Sequence, residues 1–237
     1  MPGSVLKKIA RKVIFDNTPR VFLTGLLYAL FTSVVSWLAF RLTGLIGLDE
    51  VNLRLASGEL PGFEIFFSDF RITGIILAAL VFMLQPLLDA GFISYCLKLK
   101  REQKTDFFDL FNGFIFFFKV IKIFLITFIY VFLWSILLII PGIVASYRYR
   151  QAYYILVDDP GKSALQCISE SCLMMKGKKL DLFIIDISFL GWFALNMLVV
   201  ILIPIPFAIP VVTTWLYPYL GLTRVVFYDE VVSNVAV

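Results

Sequence analysis

The chain has 237 residues, 60% of them hydrophobic and 16% charged, where a soluble domain carries about a quarter charged. Its mean hydropathy of +0.92 exceeds what one globule of this size buries, so an ordinary soluble protein is excluded and lipid is the solvent for most of the chain. There is no histidine, which removes histidine acid–base catalysis, Ser-His and Cys-His nucleophiles and histidine metal sites. The net charge of +4 gives no support for a nucleic-acid partner.

In chain order, residues 1–20 read as an amphipathic interfacial helix. Val5, Leu6, Ile9, Ala10, Val13 and Ile14 alternate in pairs with Lys7, Lys8, Arg11 and Lys12, a spacing that separates an apolar from a basic face. Such a face suits an anionic inner leaflet. Residues 21–237 read as one transmembrane domain with spans at about 21–40, 72–97, 120–140, 143–157, 182–203 and 207–228. The first stretch is too long, and lacks the cleavage site, for a removed signal peptide.

The span at 143–157 is short and contains Arg148 and Arg150, and its crossing decides the side of everything downstream. If it crosses, fifteen basic residues share one side: Lys7, Lys8, Arg11, Lys12, Arg20, Lys98, Lys100, Arg101, Lys104, Lys119, Lys122, Lys162, Lys176, Lys178 and Lys179. Arg41, Arg54 and Arg71 lie on the other. The positive-inside rule therefore favours six spans with both termini cytoplasmic.

Two cytoplasmic connections read as interfacial helices. One sets Asp106, Asp109 and Gly113 against Phe107, Phe108, Phe111 and Phe114. The other aligns Leu165, Ile168, Cys172 and Met175 opposite Ser163, Gln166 and Glu170. The segment from Arg41 to Arg71 is the sizeable outer loop, with a turn at Pro61-Gly62, and Pro204, Pro206 and Pro210 mark a second outer turn. Cys96, Cys167 and Cys172 have neither disulfide nor zinc spacing and read as free thiols.

From Pro141 onward a pattern emerges: Pro141-Gly142, a tyrosine-rich stretch to Tyr154, Asp158 and Pro160, Ser163-Ala164, Ser171, Met174-Met175-Lys176-Gly177, Gly191-Trp192, Pro218-Tyr219 and Phe227-Tyr228. It resembles an uncharacterised family of bacterial integral membrane proteins known only as a domain of unknown function. That family is distantly similar in layout to the membrane domain of some glycerophosphodiester phosphodiesterases, without their catalytic domain. The resemblance implies a six-helix protein of the bacterial cytoplasmic membrane and brings no functional residues to transfer.

Asp89, Arg148, Arg150, Asp186 and Arg224 fall within spans. Each costs about 2.5 to 3.5 kcal/mol at a helix centre on insertion scales, so each needs a partner or water. Arg148 and Arg150 point about 200° apart on a helix and cannot both serve one pocket without a break in it. Three readings of this polar cluster stand: interhelical ion pairs, an inward-facing cavity for an anionic headgroup, and a proton relay. No serine elbow, P-loop, dinucleotide fingerprint or metal spacing is present, so no catalytic, cofactor-binding or metal-ligating residue is expected. The expected function is a non-enzymatic, lipid- or protein-binding accessory role in the bacterial envelope. The alternative is a small transporter or lipid-translocating protein using the Arg/Asp cluster. Oligomeric state is not readable.

Overall fold

The computed structural model of the chain describes residues 2–43, 56–57, 72–202 and 208–235. The proline turn at Pro204 and Pro206 and most of the loop between Arg41 and Arg71 lie outside them, as do the end of the fifth expected span and the first residue of the sixth. The described residues are mostly helical, with no strand among them. They form α1 (Gly3–Asp16), α2 (Arg20–Thr43), α3 (Ile72–Phe82), α4 (Leu84–Lys100), a 3-10 turn (Phe107–Phe111), α5 (Asn112–Ile115), α6 (Phe117–Leu137), α7 (Ile139–Tyr149), α8 (Ala152–Asp158), α9 (Ala164–Met174), α10 (Lys179–Ile187), α11 (Leu190–Leu202) and α12 (Ala208–Val235).

Two compact units divide the chain. The smaller, Leu30–Gln85, holds the second part of α2 and all of α3; the larger joins Met1–Ala29 to Pro86–Val237. Among the described residues four stretches are long and apolar enough to cross a membrane: Arg20–Ala39, Gly74–Lys100, Phe117–Leu137 and Lys179–Leu198. Large apolar side chains face outward along them, among them Leu80, Phe128, Phe132 and Leu195, and at the turn after α6 Ile139 and Ile140 are each 75% exposed. A surface of that composition fits a membrane protein.

The second expected span is interrupted at Met83. Pro86 lacks the N–H that would donate to the Phe82 carbonyl one turn back, so α3 ends and α4 restarts with the proline in its first turn. The third and fourth expected spans form a helical hairpin whose turn lies earlier than the Pro141-Gly142 pair suggests. Leu138 is extended, with φ −161° and ψ 145°, and Pro141 sits inside the first turn of α7, where its missing N–H costs nothing. Gly142 packs directly on Ser135, so closely that a Cβ there would stand 2.1 Å from the serine Oγ. The returning arm runs back beside α6, with Tyr149 stacked on Tyr130 at 5.6 Å between centroids. It ends level with the start of α6, where the Lys119 Nζ donates to the Pro160 carbonyl at 2.5 Å. The arm is two helices rather than one, broken at Arg150 and Gln151. The fifth span is likewise two pieces, α10 and α11, separated at Ser188 and the fully buried Phe189.

The N-terminal helix α1 buries Leu6, Ala10 and Ile14. Its partners are α12 and α10 of its own unit, so the centre of the apolar stripe is covered by protein. Lys7 leans over the Phe189 ring at 4.4 Å, and burial, then the charge of Arg11, lowers its pKa. Arg11 reaches Tyr219, while Lys8 and Lys12 are exposed.

The 107–115 segment presents Phe107, Phe108, Phe111 and Phe114 outward and inserts Leu110 and Gly113 against α4. Asp106 and Asp109 cap it reciprocally, and Asp109 also holds Lys98 at 2.6 Å. In α9, capped by Ser163 and Gln166, the buried stripe differs from the expected one. It is Ala164, Cys167, Ile168, Ser171 and Met174, continued by the buried cap residue Met175; of the expected residues Ile168 and Met175 are thus buried, while Leu165 is exposed, as is Leu173, and Cys172 is half-buried. Where lipid replaces water, small residues gain from close helix contact and large apolar ones lose nothing by facing out, so the size of a side chain sorts it better than its hydropathy.

Candidate functional site

Three helices of the larger unit converge on Asp186. From α7, Tyr147 and Arg150 lie three residues apart and so share a face; α10 carries Asp186 itself, and α12 carries Arg224. The Arg150 Nη1 donates to Asp186 Oδ2 at 2.8 Å, and the Tyr147 hydroxyl donates to the same oxygen at 3.0 Å. Arg224 grips the other oxygen through Nε at 3.0 Å and Nη2 at 2.9 Å. The Asp186 side chain is 13% exposed and those of Arg150 and Arg224 33% and 22%. Register explains the meeting. Asp186 is seven residues from the start of α10, Arg150 eight before the end of α8 and Arg224 five before Asp229. Each therefore lies about 8 to 12 Å inside the same end of the bundle at 1.5 Å per residue.

Of the five in-span ionisable residues, Arg150, Asp186 and Arg224 thus come together. Asp89 does not join them. It is eleven residues from the end of α4, about 17 Å deep, and accepts from the Tyr28 hydroxyl at 2.6 Å. Tyr28 is itself held by stacking on Phe92 at 4.2 Å and edge-on against Tyr217 at 5.2 Å. Arg148 turns the other way and is exposed, its guanidinium 5.7 Å from the Tyr149 ring centroid. The Arg148 carbonyl accepts from the Ser171 hydroxyl at 2.8 Å, which ties α7 to the small-residue face of α9.

A second ionic cluster closes the end of the bundle nearest the triad; of its members Arg101 and Lys162 count in the sequence only as topology markers, and Asp158 and Tyr228 only as part of the family pattern. Arg101, just beyond α4, bonds Asp158 through Nη1 and reaches Asp229 with Nη2 at 3.2 Å. The Tyr228 hydroxyl donates to Asp158 at 3.1 Å. Lys162 pairs with Glu170 at 2.7 Å nearby in sequence. The Arg101 guanidinium, first through its hydrogen bond, holds the Asp158 carboxyl below its ordinary range against the opposing effect of burial. Asp158 ends α8, whereas Tyr228 and Asp229 lie inside α12; the pairing of the two aspartates with Arg101 spans 57 and 128 residues and leaves no local pattern.

Among the described residues no group of three or more His, Cys, Asp or Glu side chains is placed to hold a metal ion. Cys96 and Cys167 are buried free thiols.

The family model described as "Protein of unknown function (DUF975)" matches residues 135–235. That interval contains Tyr147, Arg150, Asp186 and Arg224, and excludes Asp89, Arg101 and the N-terminal helix. No curated protein and no solved structure matches the chain, so the expected likeness to a phosphodiesterase membrane domain finds no support.

Proposed function

We propose that this is a non-enzymatic, six-span protein of the bacterial cytoplasmic membrane, with both termini in the cytoplasm, whose role is to bind membrane lipid. The observation that carries the reading is the state of the intramembrane charges. Asp186 is consumed by both arginines and a tyrosine, so the triad acts as a clamp on α7, α10 and α12 rather than as the lining of an aqueous path. Recognition then falls to the surfaces that remain: aromatic side chains on the 107–115 segment, exposed Lys8 and Lys12, and the basic helix ends.

The six-span topology is supported by the hairpin geometry. Lys119 beside Pro160, together with Arg101 beside Asp158 and Asp229, gathers the ends of α4 and α8, the later turns of α12 and the start of α6 at one level. The basic residues of 98–104, 119–122 and 162–179 belong to the connections at that level, in keeping with the excess of positive charge on the cytoplasmic side. Thermal unfolding of the delipidated protein against a panel of phospholipids tests the function. A ligand of the folded state at a hundred times its Kd adds about 2.7 kcal/mol, so at least one lipid class is expected to raise the Tm by several degrees. A flat response across the panel overturns lipid binding.

A further inference from the structure

Apart from the triad, a polar pocket of about 340 Å3 opens between the start of α2, the last turns of α4 and the connection that follows it. That volume lies at the lower end of ligand sites, about 300 to 1,000 Å3. Its floor is the Tyr95 side chain, 1% exposed, whose hydroxyl lies near the side chains of Thr24 and Thr105 without a well-formed hydrogen bond to either. A buried hydroxyl left without a partner costs free energy unless something else supplies one. The Thr24 hydroxyl donates to the Arg20 carbonyl at 3.1 Å, so towards a ligand it can act only as an acceptor.

At the rim stand one cation and one anion. Arg20 makes no ion pair among the described residues. The Asp106 carboxylate accepts from the Phe107 N–H at 2.7 Å and caps the turn that follows, and as an anion it keeps further lone pairs for a donor. Leu23 and Phe107, 56% and 41% exposed, form an apolar lip beside them. Depth fits a headgroup. Arg20 begins one membrane-crossing stretch and Lys100 ends another, so Thr24 and Tyr95 sit only about 6 to 8 Å inside the helix ends.

We propose that this pocket binds the headgroup of a zwitterionic phospholipid of the phosphoethanolamine type, with the phosphate on Arg20, the ammonium on Asp106 and the Tyr95 hydroxyl donating to a phosphoryl oxygen. The inference rests on the lipid-binding reading and gives it a site. A guanidinium fork suits a phosphate, and a single rim carboxylate selects against headgroups with negative charge alone. A primary ammonium donates hydrogen bonds to that carboxylate, which a trimethylated one cannot. The acyl chains leave over Leu23 and Phe107.

The test uses the full-length, delipidated protein, titrated with phosphatidylethanolamine, phosphatidylglycerol, phosphatidylcholine and soluble phosphoethanolamine, and read by native mass spectrometry and thermal unfolding. Phosphatidylethanolamine is expected to bind most tightly. Arg20→Gln should weaken it on the order of tenfold, the usual loss for one charge-assisted bond. Asp106→Asn keeps the helix cap and should abolish the preference for phosphatidylethanolamine over phosphatidylglycerol. Tyr95→Phe should weaken binding while leaving the melting temperature of the lipid-free protein unchanged, because the hydroxyl has no protein partner to lose. Stabilisation by phospholipids that ignores headgroup and all three substitutions overturns the pocket while leaving lipid binding intact. No stabilisation by any lipid overturns both. Soluble phosphoethanolamine binding as tightly as the lipid replaces the membrane source with a metabolite and overturns the lipid assignment.

Discussion

Asp186 bears two guanidinium groups on two oxygens, and this asymmetry sets what its removal does. Asp186→Ala leaves Arg150 and Arg224 facing each other without a counter-charge, a loss of about 3 kcal/mol for a mostly buried pair. The double change Asp186→Leu with Arg150→Met removes one charge of each sign and is expected to cost less than the single one. Unfolding in mixed micelles measures both; a double variant less stable than Asp186→Ala would contradict the clamp. Arg101 and Asp158 predict an acid dependence. The folded pKa of Asp158 is depressed by the Arg101 hydrogen bond, so its contribution is fully present above the ordinary carboxylate value. It is lost as pH falls through the lower, folded value. Arg101→Gln should lower stability at neutral pH and flatten the decline with acid. The size is modest, because Arg101 is 39% exposed and solvent screens the pair. An unchanged pH profile would remove the pair from the account.

At the scale of elements, close approach matters more than hydrophobicity. Gly91 on α4 lies under the Leu110 backbone, where a Cβ would come within 1.7 Å of the carbonyl oxygen, and Gly113 stands in the same relation to Leu87, at 1.9 Å. These two contacts seat the 107–115 segment on α4 and place Asp106 at the rim of the headgroup pocket. Because backbone rather than a flexible side chain blocks the added methyl, Gly91→Ala must shift the whole segment. It is expected to cost at least 1 to 3 kcal/mol, the range for overpacking, and to weaken the Lys98 to Asp109 ion pair. Loss of protection of the 107–115 segment in hydrogen exchange would register the shift; unaltered exchange and stability would count against it. Helix α9 follows the same rule, since Ala164, Cys167 and Ser171 face the bundle and two leucines face out.

For the whole molecule, the hairpin of α6 with α7 and α8 is the decisive element of topology, because it returns the chain to the level from which α6 starts. Introduced cysteines at Ser4, Lys178 and Asn234 are expected to resist an impermeant reagent in intact cells and to react after lysis, whereas one at Glu59, which lies outside the described residues, should react from outside. Labelling of Lys178→Cys from outside would mean that the 139–158 arm does not cross. In the sequence, the arm was legible only through the distribution of lysine and arginine. Its two arginines and its short apolar run hide it from a hydropathy reading, and the break at Arg150 and Gln151 leaves no piece as long as a span.

The residues by themselves determined the all-helical class, the lipid environment, the absence of histidine chemistry and the need of each in-span charge for a partner, because these follow from composition and from helical period alone. The divergence of Arg148 and Arg150 belongs with them, being a property of one helix. Which partner each charge took was a tertiary outcome. Asp89 and Asp186 both stand in apolar runs of the sequence, yet only the relative depth of α4, α7, α10 and α12 brings Asp186 to the arginines and Asp89 to the Tyr28 hydroxyl. Likewise the basic N-terminal helix reads as a membrane-surface element, and only the packing of Leu6, Ala10 and Ile14 onto α10 and α12 covers the middle of its apolar stripe. One sequence cannot separate a side chain that faces lipid from one that faces another helix, since both surroundings are apolar; the distinction lies in shape and close fit, which exist only once the helices are assembled.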